Sequence, residues 1–279
     1  MQNSGQVRPH PWTQPWYQTN NGDVAVFIYL ILIHALAATG LVLFPLPGWP
    51  VFLTALAMTG LGGLGTTVAY HRALSHRALR LNPAAEQALI FFAAFNGSGV
   101  PGTWVANHRY HHAHSDTVDD VSSPRYGGFW WAHLRCLYQI PQCSLSRWCP
   151  DLLAPRYRFW QRIQIPLVAT SLTCGWFLFG WPGLFWLGGI RLAYALHLQA
   201  AVNSILHMKK DVPIGEESAR NIWWLGPLQL TAWGENWHEN HHASPSSASF
   251  GRHLWQVDFG WYTIRLLESL GLATNVRRQ

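Results

Sequence analysis

Residues 24–46 read VAVFIYLILIHALAATGLVLFPL, an apolar run without a charged side chain. A helix of about 20 such residues is long enough to cross a bilayer. Three more apolar stretches follow, and Pro47, Gly48 and Gly180 stand where a turn would separate the two members of each pair. The four predicted membrane spans, which form two helical hairpins, cover residues 24–46, 49–70, 163–179 and 181–206.

The composition of the chain is typical of a membrane protein. Of its 279 residues, 49% are hydrophobic and only 11% are charged, whereas soluble domains carry about 25% charged residues. Seventeen Trp residues supply the amphipathic rings that collect at membrane interfaces. The net charge is +6, and the basic residues are scattered along the chain without forming a stripe. We therefore expect them to contact anionic lipid headgroups and not nucleic acid.

Basic residues indicate the orientation of the chain in the membrane. Of the 19 Lys and Arg residues, all but Arg191 lie outside the predicted spans and the tips of the hairpins. Because such residues accumulate in cytoplasmic segments, we expect both termini to be cytoplasmic. Arg191 lies within a span, where a charge indicates either a function or a contact with a lipid headgroup or with the interior of the helix bundle. We predict a single domain with an N-terminal tail (1–22), a first hairpin (24–70), a cytosolic segment (71–162), a second hairpin (163–206) and a final cytosolic segment (207–279).

Histidines form three groups in the predicted cytosolic segments. His71 and His76 make an H-x-x-x-x-H box, and two H-x-x-H-H boxes follow at residues 108–112 and 238–242. On an α-helix, positions i, i+3 and i+4 lie within about 100° of one another, so each H-x-x-H-H box is predicted to aim three imidazoles at one point. His71 and His76 are about 140° apart on such a helix, so either the helix ends between them or they bind different metals.

The number of box histidines indicates two metals. The eight exceed the four ligands of a structural zinc and the three of a catalytic one. Imidazole binds iron, zinc, copper and nickel alike, but a pair of redox-active irons could activate dioxygen, which zinc could not. Asn203 and His207 share a helix face at the end of the fourth span, and either complete the cluster or pack between helices. We expect packing or supporting roles for the other histidines, at positions 10, 34, 114, 133, 197 and 253.

These motifs resemble those of the membrane fatty acyl desaturases, most closely the delta-nine type. The resemblance is carried by YHRALSH at 70–76, HRYHH at 108–112, Asn203 with His207, and GENWHENHH at 234–242. It implies an all-α fold with four transmembrane helices and a cytosolic helical cap. It also implies a di-iron centre in which Asn203 binds through water and the direct ligands are His71, His76, His108, His111, His112, His207, His238, His241 and His242.

The activity implied by the resemblance is the introduction of a cis double bond, at the Δ9 position, into a saturated C16–C18 acyl chain. The reaction would use O2 and two electrons from ferredoxin or a b-type cytochrome. Asn107 stands where animal acyl-CoA enzymes have an acidic residue, which favours an acyl-lipid substrate over acyl-CoA. Asp120-Val121-Ser122 replaces the Asp-Pro-His of many relatives, so any role of that histidine is absent or displaced. Trp104 is a candidate wall of the substrate tunnel or an interfacial anchor.

Two other functions fit parts of the pattern. A hydroxylase of alkyl chains or carotenoids could use a similar histidine scaffold, and its product would distinguish it from a desaturase. A histidine-rich metal transporter would place its ligands along a path at the middle of the bilayer. Here the boxes lie at the ends of spans and in segments on one side, which disfavours transport.

Overall fold

The computed structural model describes residues 10–20, 23–141, 143–228 and 230–278, and these residues are mostly helical. The α-helices are α1 (Val24–Leu43), α2 (Trp49–Leu64), α3 (Pro83–Phe95), α4 (Pro101–His114), α5 (Pro124–Gly127), α6 (Cys136–Gln139), α7 (Leu145–Trp148), α8 (Pro155–Gly183), α9 (Arg191–Ser204), α10 (Leu225–Leu228), α11 (His238–Ala243) and α12 (Phe259–Ser269). The π-helical segments are Gly65–Ser75, Trp131–Arg135 and Leu184–Ile190, the 3-10 turns are Pro11–Thr13 and Pro150–Leu152, and the strands are β1 (Arg80–Leu81) and β2 (Ala273–Thr274), which pair antiparallel.

Among the described residues, three helical stretches are long and apolar enough to cross a membrane: Val24–Leu43, Trp49–Ser75 and Pro155–Ser204. The third contains the predicted span 163–179 and all but the last two residues of the predicted span 181–206. Its backbone leaves the helical region at Gly180, where φ is +63° and ψ is −145°. Beyond that point the chain folds back and brings Gly183 against Gly175, so closely that a Cβ atom on Gly183 would overlap the carbonyl oxygen of Gly175. The predicted turn at Gly180 is therefore present.

The outer surface of α1 is apolar. Ile28, Ile31 and Leu41 are 58%, 57% and 54% exposed, although such side chains are usually buried in soluble proteins. Exposed apolar area of this extent is typical of a surface that contacts another apolar phase. These side chains match the lipid-facing side that the sequence predicts for this helix.

Arg191 is buried inside the helix bundle. Its guanidinium donates to the Asn96 side-chain oxygen at 2.8 Å and to the Ser171 hydroxyl, and only 2% of the residue is exposed. Polar partners of this kind offset part of the cost of burying a cation. Of the alternatives for Arg191, the structure shows the contact inside the bundle.

The two polar segments pack around one core, which brings the histidine boxes together. Val68, Ile90 and Val105 share this core with Ile264 and Ala273 near the C-terminus. The burial of apolar side chains from both segments stabilises their association. The boxes, which are distant in sequence, are therefore held in one body.

Part of the predicted N-terminal tail lies against this body. The Gln139 side-chain amide donates to the carbonyl oxygens of Pro15 and Gln18 at 2.7 and 2.6 Å, and the Tyr138 hydroxyl donates to that of Trp16. Residues 10–20 are therefore held at the surface by hydrogen bonds. Residues 1–9, 21 and 22 of the predicted tail lie outside the described residues.

Candidate metal centre

The first histidine box lies at the end of a π-helical segment. The backbone N–H of His76 donates to the carbonyl oxygen of His71 at 3.1 Å, which is the i to i+5 hydrogen bond of a π-turn. The two imidazole rings are consequently only 5.1 Å apart between centroids. The two rings do not project from a straight α-helix, and the helical segment ends at Ser75. Of the two alternatives, the structure supports a helix end between His71 and His76, with both rings in one group.

The structure brings all nine predicted histidines together in two adjacent groups, which we call the five-histidine group and the four-histidine group. Within each group, the candidate ligand nitrogens lie within 4.8 Å of one another. The five-histidine group contains His71, His76, His108, His112 and His241, and the four-histidine group contains His111, His207, His238 and His242.

The prediction that each H-x-x-H-H box aims at one point is wrong. In α4, His108 and His112 face the five-histidine group, whereas His111 faces the other. In α11, His241 likewise separates from His238 and His242. Positions i+3 and i+4 differ by about 100° around the helix axis, and this difference is enough to direct neighbouring rings at two different centres. Each helix therefore contributes to both groups.

The distances between ring nitrogens fit metal coordination. The Nε2 atoms of His71 and His241 are 3.0 Å apart, those of His76 and His108 are 2.8 Å apart, and those of His207 and His238 are 2.9 Å apart. Two ligands at right angles around an ion, each at about 2.1 Å, would be separated by about 3.0 Å. The buried Nε2 atom of His111 has no hydrogen-bond partner among the described residues, as expected of an atom that would bind a metal.

Six of the nine imidazoles are held in the neutral form that metal binding requires. Burial, with a smaller contribution from neighbouring imidazoles, lowers the pKa of His76, His108, His112, His238 and His241 far below its usual value. Burial likewise lowers the pKa of His242 to about 4. Near neutral pH these rings therefore offer lone pairs and would not need to lose a proton to a binding metal.

Four carboxylates that the sequence reasoning did not identify orient four of the nine rings. A ring whose Nδ1–H donates to a carboxylate presents its Nε2 lone pair to a metal, with the tautomer fixed. Asp116 and Asp120 follow the second box closely, and Glu235 precedes the third. Their short distance from a box in the sequence could have identified these three as partners of the histidines. The Nδ1 contacts are His71 with Glu235 (2.7 Å), His111 with Asp120 (2.8 Å), His207 with Asp116 (3.0 Å) and His242 with Glu217 (2.8 Å).

The orienting carboxylates remain ionised. Burial alone would raise the pKa of Asp120, but the charge of His111 and its hydrogen bond outweigh burial and lower this pKa to about 2. The pKa of Glu217 is lowered to about 2 in the same way by His242. The centre therefore combines six imidazoles that are neutral near pH 7 with ionised carboxylates that contact four of its rings, an arrangement that suits a cationic metal.

The structure shows a direct contact with the box histidines for Trp104, whereas Asn107 and Asn203 are located only by burial and position in their helices. The Trp104 ring stacks on His108, with 4.9 Å between ring centroids. The side-chain oxygen of Asn107 is buried and has no hydrogen-bond partner among the described residues. Asn203 lies in the last turn of α9, four residues before His207, and its role as a water-mediated ligand stays a prediction.

Three histidines outside the boxes form a chain between helices. The Nε2 atoms of His34 and His197 are 3.0 Å apart, and His197 Nδ1 lies 2.9 Å from His133 Nε2. His133 Nδ1 in turn lies 2.7 Å from the Ser204 hydroxyl. These imidazoles link α1 and α9 to the segment before α6, which is the packing role that the sequence suggested for them.

A narrow apolar cavity of about 40 Å³ begins beside the five-histidine group. Thr67 and Glu235, which lie next to His71, line one part of it, and Gly63, Ala195 and Val202 continue it between α2 and α9. Almost all of its wall is apolar. An apolar wall of this kind favours contact with hydrocarbon over contact with polar groups.

The chain matches known proteins over most of its length. The family model for fatty acid desaturases matches residues 47–265. Delta-9 acyl-lipid desaturase 1 of Arabidopsis thaliana is 33% identical over 98% of this chain and 88% of its own. The sn-1 stearoyl-lipid 9-desaturase of Anabaena variabilis is 37% identical over 77% of this chain and 79% of its own. Icosanoyl-CoA 5-desaturase of Limnanthes douglasii is 34% identical over 95% of this chain and 74% of its own.

The chain belongs to the fatty acid desaturase family, and the resemblance found in the histidine boxes is thereby confirmed. Membership in this family makes it an oxygen-dependent oxidoreductase of lipid metabolism.

Proposed function

We propose that this protein is a membrane acyl-lipid desaturase that binds two irons and forms a cis double bond, at the Δ9 position, in a C16–C18 chain. The convergence of nine imidazoles into two adjacent groups is the observation on which the proposal depends. Neither group resembles a structural zinc site, whose four ligands include cysteine thiolates. Two sites side by side are what a reaction with dioxygen at paired metals requires.

Each histidine group would hold one iron, with Asn203 reaching the centre through water. Bound iron would supply the oxidising power that removes hydrogen from a methylene, which has no acidic proton for a base to take. The protein's own residues bind and orient. Glu235, Asp120, Asp116 and Glu217 fix the tautomers of the rings that face the metals.

The apolar cavity would position the acyl chain. A saturated chain is chemically uniform, so the bond that reacts is determined by where the chain is held. The cavity lies against Glu235 and Thr67, and therefore beside the five-histidine group. Trp104, stacked on His108, would form the wall on the other side of the centre and exclude water from it.

Two observations favour an acyl-lipid substrate. The names of the relatives from Arabidopsis and Anabaena specify acyl-lipid and stearoyl-lipid substrates, and these two proteins match this chain well. Asn107 also provides no negative charge of the kind that animal acyl-CoA enzymes have at this position. Because the Limnanthes relative is named for icosanoyl-CoA, the carrier of the acyl chain has to be determined directly.

We also propose the membrane arrangement. The reversal at Gly180 would divide the long third stretch into two spans, so the hairpins 24–70 and 163–206 cross four times. The segments 71–162 and 207–279 would form a cytosolic cap, with both termini on that side, because they carry nearly all the basic residues. Ferredoxin or a b-type cytochrome would supply electrons there.

Expression in a host without this desaturation tests the proposal. New cis-9 fatty acids should appear, mainly in glycerolipids, and a His241→Ala variant made to the same level should produce none. Hydroxylated chains without a new double bond would instead indicate the hydroxylase. New double bonds found first in acyl-CoA would keep the desaturase but change its substrate.

A further inference from the structure

A polar cleft of about 380 Å³ lies behind the first histidine box, separate from the apolar cavity. Its floor includes Leu74 of the π-helical segment, and its walls come from β1, the start of α8 and the C-terminal residues. Arg77 and Arg156 have side chains 64% and 60% exposed, and such exposed charge places the cleft in an aqueous environment. We call it the arginine cleft after the four residues of that type that line it: Arg77, Arg80, Arg156 and Arg277.

The arginine cleft carries uncompensated positive charge. Its two acidic residues already have partners: Asp151 pairs with Arg109 at 2.8 Å and with Arg77 at 3.2 Å, and Glu86 accepts a hydrogen bond from a tyrosine hydroxyl at 2.8 Å. Arg80 and Arg277 are exposed. Neither forms an ion pair with a carboxylate in the part of the chain that the structure describes. These two cations remain available to an external anionic partner.

The arginine cleft is connected directly to the five-histidine group. Arg77 follows His76 in the chain, so their Cα atoms are about 3.8 Å apart. Arg109 follows His108 and donates to the carbonyl oxygens of Leu74 and Ser75 at 2.6 and 3.2 Å. The Nε2 atoms of His76 and His108 lie 2.8 Å apart within the group. Covalent bonds and short hydrogen bonds therefore lead from the cleft to candidate metal ligands.

We propose that the arginine cleft docks an acidic one-electron carrier protein, and that electrons enter the metal centre through the five-histidine group. This inference rests on the proposed function. Removing two hydrogens from the acyl chain and reducing O2 to two waters consumes two protons and two electrons, and each docked carrier is oxidised by one electron, so two dockings complete one turnover. Complementary charge speeds such encounters, and electron-transfer interfaces are small enough for a compact surface of this kind.

Binding measurements on the full chain in neutral-lipid nanodiscs test the docking site. The probes are an acidic [2Fe–2S] ferredoxin and, in parallel, the acidic haem domain of a b-type cytochrome. For at least one carrier, Arg80→Glu and Arg277→Glu should each raise Kd by about fivefold or more and weaken its salt dependence. Lys210→Glu, an equal charge reversal at an exposed residue outside the cleft, should leave Kd unchanged.

Turnover provides a second measurement. The cleft variants should raise KM for the carrier and retain a kcat close to that of the wild type. Unchanged Kd in both variants, an equal loss in Lys210→Glu, or no salt-sensitive binding of either carrier to the wild type would overturn the docking site. In a separate arm, binding of phosphatidylglycerol to the detergent-purified chain is measured, and its loss in the cleft variants without a change in carrier Kd would assign the cleft to a lipid headgroup instead. Carrier binding through the cleft in a protein that forms no double bond would contradict the proposed function and leave docking intact.

Discussion

The Nδ1 atom of His71 lies 2.7 Å from a carboxylate oxygen of Glu235. Glu235 also accepts a hydrogen bond from the Thr67 hydroxyl, and it stands three residues before His238 in the chain. An acidic residue beside the third histidine box thus orients a ring of the first box. This contact joins segments that are more than 160 residues apart, and it makes the geometry of the five-histidine group depend on the packing of both polar segments.

Glu235→Gln should weaken iron binding at the five-histidine group by about 10- to 100-fold, because the neutral amide no longer fixes the tautomer and basicity of His71. Competition with a chelator measures the change. Glu239→Gln is the matched control, since this carboxylate is largely exposed and contacts Lys209, and its iron affinity should equal that of the wild type. Equal iron retention in both variants would show that the His71–Glu235 contact does not support a metal.

Asp116→Asn should affect the four-histidine group selectively. The Asp116 carboxylate is fully buried and accepts hydrogen bonds from His207, Ser218 and Ser123. Its loss should lower the iron content from about two to about one per chain while the other group keeps its ion. Elemental analysis together with a thermal melt checks this outcome. Asp119→Asn, an exposed neighbour, should change neither value, and a proportional loss from both groups would contradict independent sites.

Ala195→Leu should shift the products towards shorter acyl chains. Ala195 is 3% exposed and lines the apolar cavity, so the added carbons would occupy space that the acyl chain needs. Filling space in an apolar pocket changes the preference between chain lengths by about tenfold or more. The ratio of C16 to C18 products measures the shift. Ala38→Leu makes the same change on the exposed side of α1 and should leave the ratio unchanged.

His133 should make stability depend on pH. Burial and the neighbouring His197 lower the pKa of His133 to about 4, whereas its value in the unfolded chain is about 6.5. Between these two pKa values the unfolded state therefore binds more protons than the folded state. The contribution of His133 to the free energy of unfolding is complete above pH of about 6.5 and is lost as the pH falls towards 4. The melting temperature of the wild type should fall more between pH 7 and 5 than that of His133→Asn. The exposed control His253→Asn should follow the wild type, and parallel curves for all three would exclude this role.

Much of the architecture could be predicted from local sequence. Apolar runs of sufficient length indicated the helices, and Gly180 marked the reversal in the third stretch, because a positive φ is easily adopted by glycine. The eight box histidines were also found from their spacing, whereas His207 was identified as a ligand only by the resemblance to the desaturases. Each of these features can be recognised from a short segment of sequence, without information on tertiary contacts.

The division of the histidines into two groups could not be predicted in this way. The assignment of His111 and His241 to different groups depends on where α4 and α11 lie relative to both centres, which is set by packing. The π-turn at His76 and the partnership of His242 with Glu217, an acidic residue 25 positions away, depend on tertiary structure as well. Asp116 and Asp120 closely follow the second box in the sequence. They could therefore have been predicted as carboxylates that orient histidine rings.

The most direct test of this account is the metal content of the purified chain, measured by elemental analysis after expression with iron and zinc both available. Two histidine groups of the observed composition should bind about two irons per chain. A His112→Ala and His242→Ala double variant, altered once in each group, should lose most of this iron. Zinc without iron in the wild type, or iron retained in the double variant, would contradict a di-iron centre built from these nine imidazoles.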